Sequence, residues 1–102
     1  MGPGKAGLLE RIRDTGSIAA AGRGMGMSYK RAWQLVETLN AMFRDPLVES
    51  TRGGARGDGP HVTRSGEAVI SEYRALETEA RRAGEPHIER LQAMLRGIPD
   101  RE

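Results

Sequence analysis

The sequence predicts a mainly α-helical domain that carries one small β-hairpin, and three observations predict it. Apolar residues between Ser28 and Phe43 recur at intervals of three and four, as on one face of a helix. A glycine-rich stretch, Thr51 to Gly59, lies between two short strand-like runs. Serine, threonine, glycine and proline punctuate the remainder where helices start and stop. At 102 residues the chain is read as one domain with a modest core. It has no cysteine and only His61 and His87, so no disulfide framework, thiolate metal site or histidine cluster is expected, and no cofactor. No apolar run reaches the length of a membrane span and no signal peptide is visible, so the reading is cytoplasmic, with no membrane partner.

In chain order, Met1 to Gly4 is expected to be disordered. Lys5 to Asp14 reads as a short helix with Ala6, Leu8, Leu9 and Ile12 inside, ended at Thr15-Gly16 by a glycine in the left-handed conformation. Ser17 caps a second helix, Ile18 to about Met25, whose alanines and glycines point to a close crossing with a neighbour. Gly26 supplies a turn with positive φ, Met27 enters the core and Ser28 caps the long helix. On that helix Ala32, Leu35, Val36, Leu39, Met42 and Phe43 form the apolar stripe. Arg44-Asp45-Pro46 stops it. Leu47 to Ser50 and His61 to Thr63 are the two strands, Thr63 or Ser65 caps a fourth helix, and Gly84-Glu85-Pro86 breaks it before a last short helix. The organisation expected is therefore 1–4 disordered, 5–83 the domain, and 84–102 a C-terminal helix and candidate dimerisation element.

Two helices joined by a short glycine-containing turn form a helix-turn-helix, and a basic hairpin behind the second makes it winged, here with C-terminal helices. Charge follows the same division. The formal net charge is only +2, but Arg23, Lys30, Arg31, Arg44, Arg52, Arg56 and Arg64 outnumber the acids of the middle of the chain, and acids dominate after Ser65. Lys30 and Arg31 lie in the first turn of a helix, where the macrodipole disfavours cations unless an anionic partner is present.

Beyond this layout, Gly16-Ser17-Ile18, the small-residue run Ala19 to Met27 and the string Ser28-Tyr29-Lys30-Arg31-Ala32-Trp33 resemble the DNA-binding domain of the ModE family, bacterial molybdate-responsive transcription regulators. The similarity continues through Asn40, Leu47-Val48-Glu49, the wing glycines Gly53, Gly54 and Gly59, and Val62-Thr63-Arg64-Ser65-Gly66. It covers roughly Leu8 to Ala80 and extends distantly to the LysR-type regulators. The resemblance implies sequence-specific binding of double-stranded DNA by a homodimer on an inverted-repeat operator. Members of that family often carry a C-terminal oxyanion-binding domain, which does not fit before Glu102, so molybdate binding by this chain is not expected.

The candidate DNA-binding residues are Arg23, Ser28, Tyr29, Lys30, Arg31, Gln34, Arg52, Arg56 and Arg64. Ser28, Tyr29 and Gln34 would read bases in the major groove, Lys30 and Arg31 would supply charge, and Arg52 and Arg56 on the wing would reach backbone or minor groove. Trp33, one turn after Tyr29, is read as a packing residue. Leu8, Leu9, Ile12, Leu76, Leu91 and Leu95 are read as burying apolar surface across a two-fold axis. Gly22 to Gly26 has no strand before it and the wrong spacing for a dinucleotide fingerprint, and Gly53 to Gly59 lacks the ending of a phosphate-binding loop. No carboxylate pair or serine–histidine arrangement marks a catalytic site, so an enzyme is not expected. The competing reading is a winged-helix module that docks a protein and binds no DNA.

Overall fold

A computed structural model describes residues 2–51 and 59–96. The order is α1 (Pro3–Thr15), α2 (Ile18–Gly24), α3 (Tyr29–Met42), β1 (Val48–Thr51), β2 (Gly59–Val62) and α4 (Arg64–Met94). The sequence punctuation sets most of these limits. Gly16 closes α1 at φ 68° with its N–H on the Ile12 carbonyl at 2.8 Å. Ser17 caps α2 by accepting from the Ala20 N–H at 3.0 Å, and Ser28 caps α3 by accepting from Arg31 N–H at 3.1 Å. Thr63 settles the choice of cap for α4: its hydroxyl oxygen accepts from the Gly66 N–H at 3.0 Å and its O–H donates to the Pro46 carbonyl at 2.7 Å.

The core is the meeting of these elements. Leu8, Leu9, Ile12, Leu39 and Leu47 are fully buried, with Ala21, Ala32, Val36, Val48 and Ile70 around them. Each buried Leu or Ile contributes roughly 1.5–3 kcal/mol. The close crossing expected of α2 is present at Gly22, where a Cβ would come within 2.9 Å of the Ala32 Cβ on α3. Gly26 carries the turn at φ 74°, and the Met27 N–H bonds to the Gly22 carbonyl at 2.9 Å, fixing the entry angle of α3.

The hairpin is antiparallel, with Val48 opposite Val62, Glu49 opposite His61 and Ser50 opposite Pro60. Asn40 fastens it to α3: its side-chain oxygen accepts from the Leu47 and Val48 N–H groups at 2.8 and 3.1 Å, and its amide donates to the Val48 carbonyl at 3.0 Å. Gly66 lets α4 approach the hairpin, since a Cβ there would collide with the Leu47 carbonyl oxygen and sit 2.5 Å from Val62 Cγ1.

Four expectations are corrected. Pro3 and Gly4, expected to be disordered, form the first turn of α1, because proline at the start of a helix gives up an N–H that would be unpaired anyway. The break at Gly84-Glu85-Pro86 does not occur, and the domain boundary drawn at 83/84 runs through one continuous helix. Pro86 removes one helical N–H, but the surrounding stretch is exposed, so water is available to the carbonyl it leaves without a partner. Met42, placed on the buried stripe of α3, is largely exposed. Leu8, Leu9 and Ile12, assigned to a subunit interface, are wholly inside this chain's own core and have no surface left to share.

Candidate nucleic-acid interface

The helix-turn-helix fixes what α3 shows to solvent. Ala32, Val36 and Leu39 face inward, so the helical repeat turns Tyr29, Lys30, Arg31, Trp33 and Gln34 outward, and all five are exposed. Lys30, Arg31 and Gln34 therefore occupy the first two turns of a capped helix whose rear is locked into the core. The Ser28 hydroxyl oxygen is engaged by the Arg31 N–H, which leaves its O–H free to donate outward. Arg23 is exposed in the last turn of α2, and Arg64 is exposed in the first turn of α4.

Three shallow grooves organise this surface. Tyr29, Lys30, Trp33, Gln34 and Glu37 line one along the outer face of α3, and Arg31, Gln34, Leu35, Glu37, Thr38 and Ala41 line the next. The third joins the start of α2 (Ser17, Ile18, Ala19) to Tyr29 and Trp33 of α3 and to Ser50 and Pro60 at the root of the hairpin. Tyr29, Lys30, Arg31 and Gln34 are thus brought together, while Arg23 and Arg64 line none of these three grooves. Arg52 and Arg56 lie outside the described residues.

Charge on this surface is disposed differently from charge where α1 meets α4. Among the described residues, ion pairs take up Arg13 (with Asp14 and Glu67), Arg74 (with Glu10 and Glu77) and Arg82 (with Glu79), and none takes up Arg23, Lys30, Arg31 or Arg64. The Arg74 guanidinium holds the Glu10 carboxyl below its ordinary value of 4.5, mainly through their hydrogen bonds, and Arg74 itself is pushed up by Glu10 and Glu77.

Sequence reasoning missed the place of Trp33. It is 42% exposed beside Tyr29 at 57%, on the outer surface rather than in the packing role assigned to it. The signal was available: Trp33 follows Ala32 by one position, about 100° around the helix, and so cannot share its inward direction. Among the described residues no group of three or more His, Asp or Glu could hold a metal ion, and no helix is long and apolar enough to cross a membrane.

A helix-turn-helix packed on a first helix, followed by a two-stranded wing and a long helix, defines a winged helix-turn-helix protein. Residues 6–67 match the bacterial regulatory helix-turn-helix proteins of the lysR family, and the chain belongs to that family. It is 49% identical over 70 residues to the molybdenum-pterin-binding protein MopA of Rhodobacter capsulatus, covering 69% of this chain and 26% of that one. It is 40% identical over 81 residues to the transcriptional regulator ModE of Yersinia pestis, covering 79% and 31%. With the DNA-binding transcriptional dual regulator ModE of Escherichia coli K12 it shares 36% identity over 74 residues, 72% of this chain and 28% of the other. The chain spans about a quarter to a third of the length of these curated relatives. The resemblance to ModE proteins is thereby borne out. In structure it is similar to the DNA-binding domain of CbnR in its complex with DNA, with a TM-score of 0.68 over 89% of this chain and 99% of that one, at 20% identity. Full-length CbnR complexed with its target DNA gives 0.62, covering 85% and 28% at 22% identity. These two likenesses establish the winged fold.

Proposed function

We propose that this chain is the DNA-binding unit of a transcription regulator acting on double-stranded DNA in the cytoplasm. The first two turns of α3 enter the major groove, where Tyr29 and Gln34 meet base edges with the Ser28 hydroxyl and Lys30 and Arg31 meet phosphates. Arg23 and Arg64 act as outer backbone contacts, and the wing, with Arg52 and Arg56, lies on the backbone or minor groove. The observation that carries this reading is the outer face of α3: cations without carboxylate partners among the described residues, in the one place on a helix where the dipole makes an anion welcome.

The operator is an inverted repeat read by a homodimer. The exposed apolar residues of α4 and its C-cap support this: Leu76, Ile88, Leu91, Met94 and Leu95 all face solvent, Leu91 at 62% exposed. Joined through that helix, two copies would place their reading helices about one DNA turn, roughly 34 Å, apart. Molybdate sensing is not part of the proposal. An oxyanion site needs converging donors withdrawn from water, and the described residues bury no polar or charged side chain.

Selection of duplexes from a random pool, followed by anisotropy titration and sedimentation, tests both parts. The expected result is enrichment of an inverted repeat bound by a dimer. Leu91→Lys should yield a monomer that keeps its affinity for a half-site and loses affinity for the full repeat. Enrichment of no duplex at physiological salt, with retention of a protein partner instead, would favour the protein-docking module.

A further inference from the structure

Trp33 belongs to two grooves at once. It lines the one along the outer face of α3 with Lys30 and Gln34, and the one that reaches Ser50 and Pro60 at the hairpin root. Tyr29, one turn earlier, lines both as well. The two rings therefore stand at the seam between the helix read as entering the major groove and the hairpin read as lying on the neighbouring surface of the duplex. What runs along such a seam is the sugar–phosphate strand that divides the two grooves. An indole suits that strand: its face is apolar, as the deoxyribose edge is, and its Nε1–H is a donor with no acceptor role to spoil contact with phosphate. Lys30, beside it in the same groove, supplies the charge complement.

We propose that Trp33 is a positioning contact that seats the dividing sugar–phosphate strand between α3 and the hairpin, the ring packing on deoxyribose and the indole N–H donating to a phosphate. The proposal rests on the DNA-binding reading above and assigns the indole a contact with backbone, not with a base. It makes the contact sequence-independent and electrically neutral.

Trp33 is the sole tryptophan of the chain, so its fluorescence reports this position alone. A labelled duplex carrying the selected site is titrated onto the wild-type chain while anisotropy reads binding and acrylamide quenching reads the exposure of the indole. Quenching should fall at least twofold as the duplex saturates. Trp33→Ala should weaken binding about tenfold, as loss of one hydrogen bond with its apolar contact would. The loss should be equal on selected and scrambled duplexes, with the dependence of log affinity on log salt unchanged, because a neutral ring releases no counterion. Trp33→Phe, which keeps the apolar face and lacks the N–H, should recover part of the loss. A duplex that binds while quenching stays constant would overturn the contact and leave the DNA-binding reading standing. A loss confined to the selected sequence would overturn the assignment to backbone. Absence of duplex binding by anisotropy would overturn both readings together.

Discussion

Where α1 meets α4, Arg74 lies 2.7 and 3.0 Å from the two Glu10 oxygens and 2.7 Å from Glu77, and Arg13 reaches Glu67 at 3.3 Å. On the opposite business of the domain, the turn from α2 into α3, Arg23, Lys30 and Arg31 meet no carboxylate among the described residues. The chain does not lack acids, since its 16 basic side chains face 14 acidic ones. Their placement differs. At the α1–α4 seam charge is consumed inside the molecule, where exposed pairs stabilise little. At the turn it is left over, and Lys30 and Arg31 are even held against the helix dipole. Charge left over in this way is available to an anionic partner.

The largest effect should come from the unconsumed cations. Lys30→Ala combined with Arg31→Ala should reduce the slope of log affinity against log salt by about 1.8, two phosphate contacts at about 0.9 each, and lower affinity roughly thirtyfold at physiological salt. Thermal stability should hold or rise slightly, since two cations leave a helix N-terminus. An unchanged slope in salt-dependent anisotropy titrations would erase the contrast between the two regions. Next in size is a change behind the reading surface. Gly66→Ala would press a methyl group on the Leu47 carbonyl and Val62, and overpacking of this kind costs about 1–3 kcal/mol in denaturant unfolding. The salt slope of the folded protein should not move.

The smallest effect belongs to the consumed charges. Arg74→Ala should lower the melting temperature slightly and leave duplex affinity as it was. The pH dependence has a definite sign. Arg74 depresses the folded-state value of Glu10 below the ordinary 4.5, so the stability it contributes is complete above about that pH and is lost as pH falls through the lower folded value. Glu10→Gln should remove this portion of the acid sensitivity, which melting curves collected from about pH 6 down to pH 3 would resolve. If Arg74→Ala weakened DNA binding as much as the Lys30 and Arg31 change, the division of charge between the two regions would be wrong.

What the sequence disclosed and what it hid divide by range. Caps at Ser17 and Ser28 and the positive-φ glycines Gly16 and Gly26 are local devices, decided within three or four residues, and each stands where reading along the chain places it, while the choice between Thr63 and Ser65 falls to Thr63. Periodicity gives the buried face of α1 correctly but not its cover: Leu8, Leu9 and Ile12 are expected to meet a second copy, whereas α2, β2 and α4 pack against α1 within the same chain. Pro86 misled because its penalty of about 3 kcal/mol or more is a preference, and the turns flanking it outweigh one lost bond. Asn40 and Gly66 act on strands and carbonyls well away in sequence, so the residues alone could not reveal why an amide and an absent Cβ are needed there. Of the candidate site, Tyr29, Lys30, Arg31 and Gln34 line adjoining grooves on α3, Trp33 lies on the surface and not in the interior, and Arg52 and Arg56 lie outside the described residues.

The uninterrupted course of α4 has a metrical consequence. Its 31 residues make a rod about 46 Å long. In a pair of molecules that cross along such rods, the crossing point acts as a gauge of half-site distance. Sliding it by one helical turn shifts the geometry by about 5.4 Å along the rod, more than the roughly 3.4 Å between successive base pairs. A flexible break at Pro86 would blur that measure; in such a pair an unbroken rod would let the choice of which leucines interlock decide how many base pairs separate the two sites.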